Sequence, residues 1–125
     1  MDKAKKETML VAYQKTAAQV EAFDNALTML RETRAEELKA GKGGALQAVA
    51  DGTGNILFLA DTMRHTEDVH GIEVNLDFIR EQFKEIISGL ENEDYALVAD
   101  VIEFELMPML CEWFDELDAL FGDGE

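Results

Sequence analysis

From Leu10 onward the apolar positions step by threes and fours through Tyr13, Ala17, Val20, Phe23, Leu27 and Leu30. That spacing is one face of a helix, and it predicts a first helix from about Asp2 to Ala40. Gly41, Gly43 and Gly44 end it, because closely spaced glycines penalise helix and readily take left-handed backbone. A second stripe of Leu46, Val49, Ile56, Ala60 and Met63 predicts another helix within about Ala45 to Val69. Gly52 and Gly54 weaken its middle. They mark a kink, a fresh start capped by Asp51 or Thr53, or a close approach of a neighbouring helix, and the pattern does not choose among these.

Residues 70–74 read as a connector. Asn75 then caps a third helix, about Leu76 to Leu90, with Asp77 in its first turn. Ile79, Phe83, either Ile86 or Ile87, and Leu90 form its inner face, while Glu81, Glu85 and the like-charged pair Arg80 and Lys84 mark a solvated one. Asn92 is the expected cap of a last helix, about Glu93 to Phe121, with Glu93 and Asp94 at its positive end. Its stripe is Tyr95, Val98, Ile102, Leu106, Met109, Trp113, Leu117 and Leu120. Pro108 falls inside this stripe. The apolar phase resumes beyond it, so the expectation is one helix kinked at the proline. Four helices on short turns predict an all-α fold, an antiparallel up-down four-helix bundle with long first and last helices. The domain spans residues 1–121, with residues 122–125 as a frayed acidic tail. A second copy covering the overhanging turns of the long helices makes a homodimer the expected assembly.

Composition agrees with a folded helical domain: 47% of the 125 residues are hydrophobic and one is proline. Charge sharpens the picture. The net charge is −16, and its distribution is uneven. Residues 1–42 carry eight bases and seven acids, residues 43–90 three and eight, and residues 91–125 twelve acids with no lysine or arginine. Nucleic acid and anionic membranes are therefore excluded as partners, because both need clustered cations. No apolar run reaches the ~18 residues of a membrane span. Residues Met1 to Lys6 are charged and lead into no signal-peptide core, which makes the cytoplasm the expected compartment.

Candidate chemistry is sparse. Cys111 is the only cysteine and sits in an apolar run, so it reads as a small buried hydrophobe. Ser88 is the only serine, and no nucleophile elbow, phosphate loop or Cys–His pair is present, which points away from an enzyme and implies no cofactor. Glu67 and His70 have the Glu-x-x-His spacing of di-metal carboxylate bundles. One copy is half of such a site, and a dimer with Glu103 or Glu105 would have to supply the rest. His65 and His70 are otherwise exposed helix-end residues, His70 favourably placed on a helix dipole.

The last helix is the richest stretch. Met107, Met109, Leu110, Trp113, Phe114, Leu117 and Phe121 widen its apolar arc beyond one packing face. Glu105, Glu112 and Glu116 edge that arc, and Asp100, Glu103 and Asp118 lie opposite. As core, the arc needs only two neighbouring helices. As a surface, it is a Met- and aromatic-rich groove with an acidic rim, suited to a basic amphipathic helix of a protein partner. Lys3, Lys5, Lys6 and Lys15 are candidate counter-charges to the acids.

Two stretches taken together, residues 90–95 (Leu-Glu-Asn-Glu-Asp-Tyr) and residues 105–110 (Glu-Leu-Met-Pro-Met-Leu) followed by Trp113, resemble a group of small helical proteins of Firmicutes. The likeness covers about residues 50–120 and implies a helical fold without a biochemistry. The helix start at residues 91–95 also resembles that of the flagellar export chaperone FliS, a four-helix protein that holds the terminal helices of flagellin in a groove. That resemblance implies a chaperone-like, helix-binding role. Neither assigns a site residue. The expectation is a non-catalytic partner-binding or chaperone-like protein, with a di-metal protein or a purely structural helical domain as alternatives.

Overall fold

The computed structural model describes residues 3–121, and these are helical with no strand among them. Residues 122–125, the expected acidic tail, lie outside the described residues. Helix α1 spans Lys3–Glu32, α2 Ala35–Lys39, α3 Ala45–His65, α4 Glu67–His70, α5 Leu76–Glu91, α6 Tyr95–Val101 and α7 Met107–Phe121. A π-helical turn at Ile102–Leu106 joins α6 to α7 without a break in the helix.

Helix α1 is shorter than expected and turns a different face inward. Residues 31–34 are four polar residues in a row, so nothing buried holds the helix past Leu30. The chain swings out at Arg34, whose ψ is 146°, and α2 folds back to bury Leu38. The inner face is Met9, Ala12, Thr16, Gln19, Phe23, Leu27 and Leu30, one residue earlier than the apolar stripe in its first half. Leu10 and Ala17 are exposed as a result. Two polar residues take the inward places. Thr16 donates to the Ala12 carbonyl at 2.7 Å, and the Gln19 amide oxygen accepts from Asn55 Nδ2 at 2.8 Å. Both are satisfied, so burying them leaves no orphaned polar atom.

The glycine turn at residues 41–44 holds Gly41, Gly43 and Gly44 at positive φ, the conformation that L side chains resist. Helix α3 then runs unbroken through Gly52 and Gly54. Gly52 is where α1 comes close, since a Cβ there would stand 2.3 Å from Phe23 Cε1. Gly54 faces open space. Asn75 caps α5, accepting the Phe78 amide at 3.0 Å. Asp94, not Asn92, caps α6, accepting the Leu97 amide at 3.1 Å. Asn92 instead closes α5 by donating to the Ser88 carbonyl, and Glu93 crosses to α6 with φ at +56°.

Helix α1 packs on α3 along one side and on α6 and α7 along another, and α5 packs on α6. Lys15 lies over the Phe58 ring and Lys5 pairs with Asp68, so α1 and α3 run antiparallel. Tyr13 stacks on Phe114, and Arg31 pairs with Asp100 and Glu103, so α1 also runs antiparallel to α6 and α7. Phe23, Ile56, Leu59, Met63, Ile79, Ile86, Ile102, Leu106, Leu110 and Leu117 meet in one core. The counter-charges to the acidic last third are Arg31 and Lys39, the latter paired with Glu93. Of the early lysines, Lys5 pairs with Asp68 and Lys15 lies over Phe58, and none of Lys3, Lys5, Lys6 and Lys15 makes an ion pair with the last third among the described residues.

Candidate partner-binding groove

The groove begins with the π-turn. Met107 N–H bonds the Ile102 carbonyl, five residues back rather than four, so the turn takes in one extra residue. Pro108 has no N–H to give, and a plain helix would bring its ring against the carbonyl four residues earlier. The extra residue advances the inner face. Leu110 becomes fully buried where the unbroken stripe put Met109, and Leu120 moves outward. Phe104 is turned out to 61% exposure, more than any other large hydrophobic residue described.

Phe104 stands at the mouth of a groove of about 340 Å³ between the start of α5 and the helix face after the π-turn. Phe78, Pro108, Met109 and Trp113 line it from the helices, and Ile72 from the connector. Glu73, Glu105 and Glu112 stand around it, with no lysine or arginine in its lining. None of these three carboxylates has an ion-pair partner among the described residues. A second, wider hollow of about 710 Å³ lies between α1 and α7, but its charges are mixed: Arg31 sits in it beside Asp24, Glu32 and Glu103. The Arg31 guanidinium, hydrogen-bonded to Asp100 and Glu103, is held above its ordinary pKa by them.

The residues expected to form a recognition surface therefore separate. Leu110, Trp113 and Leu117 are buried and belong to the core, though Trp113 also shows an edge to the groove. Phe114 and Phe121 are half-buried against Tyr13, at ring-centroid distances of 5.2 and 6.0 Å. Met107 lines the α1–α7 hollow. Met109, Glu105 and Glu112 reach the acidic groove, and Glu116 is exposed outside it. Pattern reasoning missed Phe104, Phe78 and Ile72. The available signal was Phe104 itself, a lone aromatic flanked by Glu103 and Glu105 and off the apolar stripe.

Cys111 is exposed, contrary to its apolar neighbourhood in sequence. The advance of the inner face gives the buried place to Leu110 and leaves Cys111 in the α1–α7 hollow. His70 is half-buried and bonded at both ring nitrogens: Nε2 lies 2.8 Å from the Met63 carbonyl, and Nδ1 accepts the Ile72 amide at 2.9 Å. This fastens the connector that carries Ile72 and Glu73 into the groove. A Glu67–His70 metal pair would have to break one of those bonds. No group of three or more His, Cys, Asp or Glu stands ready to hold a metal ion among the described residues. No described helix is long and apolar enough to cross a membrane.

A family model described as a domain of unknown function, DUF8042, matches residues 20–116. The chain belongs to that family, and the matched region contains the π-turn and every residue lining the groove. No curated protein and no solved structure matches the chain.

Proposed function

We propose that this member of the DUF8042 family is a non-catalytic partner-binding protein that takes a basic amphipathic helix into the groove between the start of α5 and α7. The observation that carries the reading is the position of Phe104. It is a large apolar side chain at 61% exposure, at the mouth of an apolar groove surrounded by three unpaired carboxylates. Isolated exposed hydrophobics are ordinary, whereas one joined to a concave apolar surface with charge of a single sign is what helix-in-groove recognition uses. The partner's apolar face would cover Phe104, Met109 and Trp113, and its lysines or arginines would meet Glu73, Glu105 and Glu112.

The packing of α1 on α3 and on α6–α7, and of α5 on α6, supports an up-down four-helix arrangement as the scaffold. The resemblance to a flagellar export chaperone supports the same binding mode, which makes flagellin-type terminal helices one set of peptides to try. The charged residues of the groove lining are Glu73, Glu105 and Glu112, all of one sign, which suits recognition of a cationic partner.

Isothermal titration with a helical peptide of leucine, alanine and lysine tests the reading. Binding is expected to weaken at least tenfold in a Glu105→Lys/Glu112→Lys variant and to fall as salt is raised, since rim charges act through screened electrostatics. A peptide of the same pattern with glutamate for lysine is expected not to bind. Equal binding of both peptides contradicts the proposal.

A further inference from the structure

A different face of the molecule is left open. Helices α3 and α5 make few close contacts with each other, and between them lies an apolar crevice of about 200 Å³ floored by Val49, Phe83, Ile86 and Leu90. Ile87 stands at its α5 edge, 54% exposed. Leu57, one turn beyond Thr53 on the same side of α3, is 52% exposed.

Each edge offers a counter-charge to the other, Asp61 on α3 and Arg80 and Lys84 on α5. Residues 43–125 contain only three cations, Arg64, Arg80 and Lys84, against twenty acids. All three belong to α3 and α5. Arg80 and Lys84 occupy the α5 edge beside Ile87, held only by exposed i,i+3 pairs with Asp77 at 3.4 Å and Glu81 at 3.5 Å. Such pairs are worth little and exchange readily. The α3 edge carries Asp61, whose one ion-pair partner among the described residues is the exposed His65.

The two helices run antiparallel. Arg64 is grouped with residues 73–77 and Arg80, while Val49, Ala50 and Thr53 meet Phe83 to Leu90. Asp61, one turn before Arg64, is thus level with Arg80 and Lys84, and Leu57 is level with Phe83. A two-fold axis parallel to the helices exchanges α3 for α5 at the same height. It sets Asp61 of each copy against Arg80 and Lys84 of the other, and Leu57 against the Phe83–Ile87 edge. Each contact occurs twice, as an isologous interface requires.

We infer that the α3–α5 face is the surface on which a second copy of this chain docks, leaving the Phe104 groove on the other side of α5 open to its partner. Sedimentation velocity on the full chain at near-physiological salt tests this with three proteins. Wild type is expected to be a dimer. Asp61→Lys places three cations at each contact, and Arg80→Glu/Lys84→Glu places only acids there, so each variant alone is expected to sediment as a monomer with its helical circular dichroism unchanged. Mixed one to one, both contacts of the heterodimer regain opposite charges, and a dimer is expected to reappear. Ile87→Glu, which spoils the apolar centre, is expected to stay monomeric in every mixture. A monomeric wild type, variants that still dimerise, or a mixture that stays monomeric overturns the inference, and none of these results bears on peptide binding at Phe104.

Discussion

At the scale of single residues, Trp113 and Phe104 invite opposite treatment. Trp113 is the sole tryptophan and is 3% exposed, so its ring is core first and groove wall second. Trp113→Ala leaves a cavity where the ring packs, and chemical denaturation is expected to show a loss of about 3–5 kcal/mol. Phe104→Asp removes a side chain that already faces water, and the expected change is within about 0.5 kcal/mol. A variant that loses binding without losing stability is therefore available only at Phe104. Sequence reasoning reaches the two carboxylates Glu105 and Glu112 and the thioether of Met109, because an acidic edge next to an apolar arc is visible in the spacing. It does not name Phe104, although that residue's place off the apolar stripe, between Glu103 and Glu105, already points to an outward position.

At the scale of elements, that register is the point where periodicity stops being informative. The stripe from Tyr95 to Leu106 is legible, and so are the Asn75 cap and the left-handed glycines of the turn before α3. One extra residue at Ile102–Leu106 then exchanges Met109 for Leu110 in the core and moves Leu120 outward. Pro108 signals a disturbance in the sequence, but a kink and a π-turn both answer its missing N–H, and they send different side chains outward. Helix α1 fails to read for another reason. Its inner face includes Thr16, which returns its hydroxyl to the Ala12 carbonyl of the same helix, and Gln19, whose partner Asn55 arrives only once α3 is in place. The α1–α3 contact gives a paired prediction. Gly52→Ala drives a methyl into Phe23 and is expected to cost about 1–3 kcal/mol. Gly54→Ala, two residues away and facing open space, is expected to stabilise the same helix by about 0.5–1 kcal/mol. Thermal unfolding of the two variants measures both signs. Equal effects would mean that α1 does not approach α3 at Gly52.

At the scale of the whole molecule, the net charge of −16 is arranged in two ways. Around the Phe104 groove it is unopposed. The only cations of residues 43–125, Arg64, Arg80 and Lys84, all lie on α3 and α5. In the proposed reading, one chain carries an acidic recognition site and, on the other side of α5, a face on which a copy of itself docks. Asp68 belongs to this scale as well, because it ties the start of α1 to α4. The hydrogen bond from Lys5 holds its carboxyl below the ordinary carboxylate range. A carboxyl whose pKa is lowered on folding stabilises the fold above its unfolded value, and that contribution disappears as pH falls through the lowered one. Asp68→Asn is expected to flatten the acid limb of the stability profile slightly, as an exposed pair should.

The groove can report on itself. Trp113 lines it, and with no second tryptophan in the chain its emission follows that site alone. Titration with a tryptophan-free basic amphipathic peptide is expected to shift the Trp113 emission to saturation in wild type, and to leave it unchanged in Phe104→Asp at the same folded stability. An emission that ignores the peptide, or a shift that survives in Phe104→Asp, would contradict a helix-binding groove at this site.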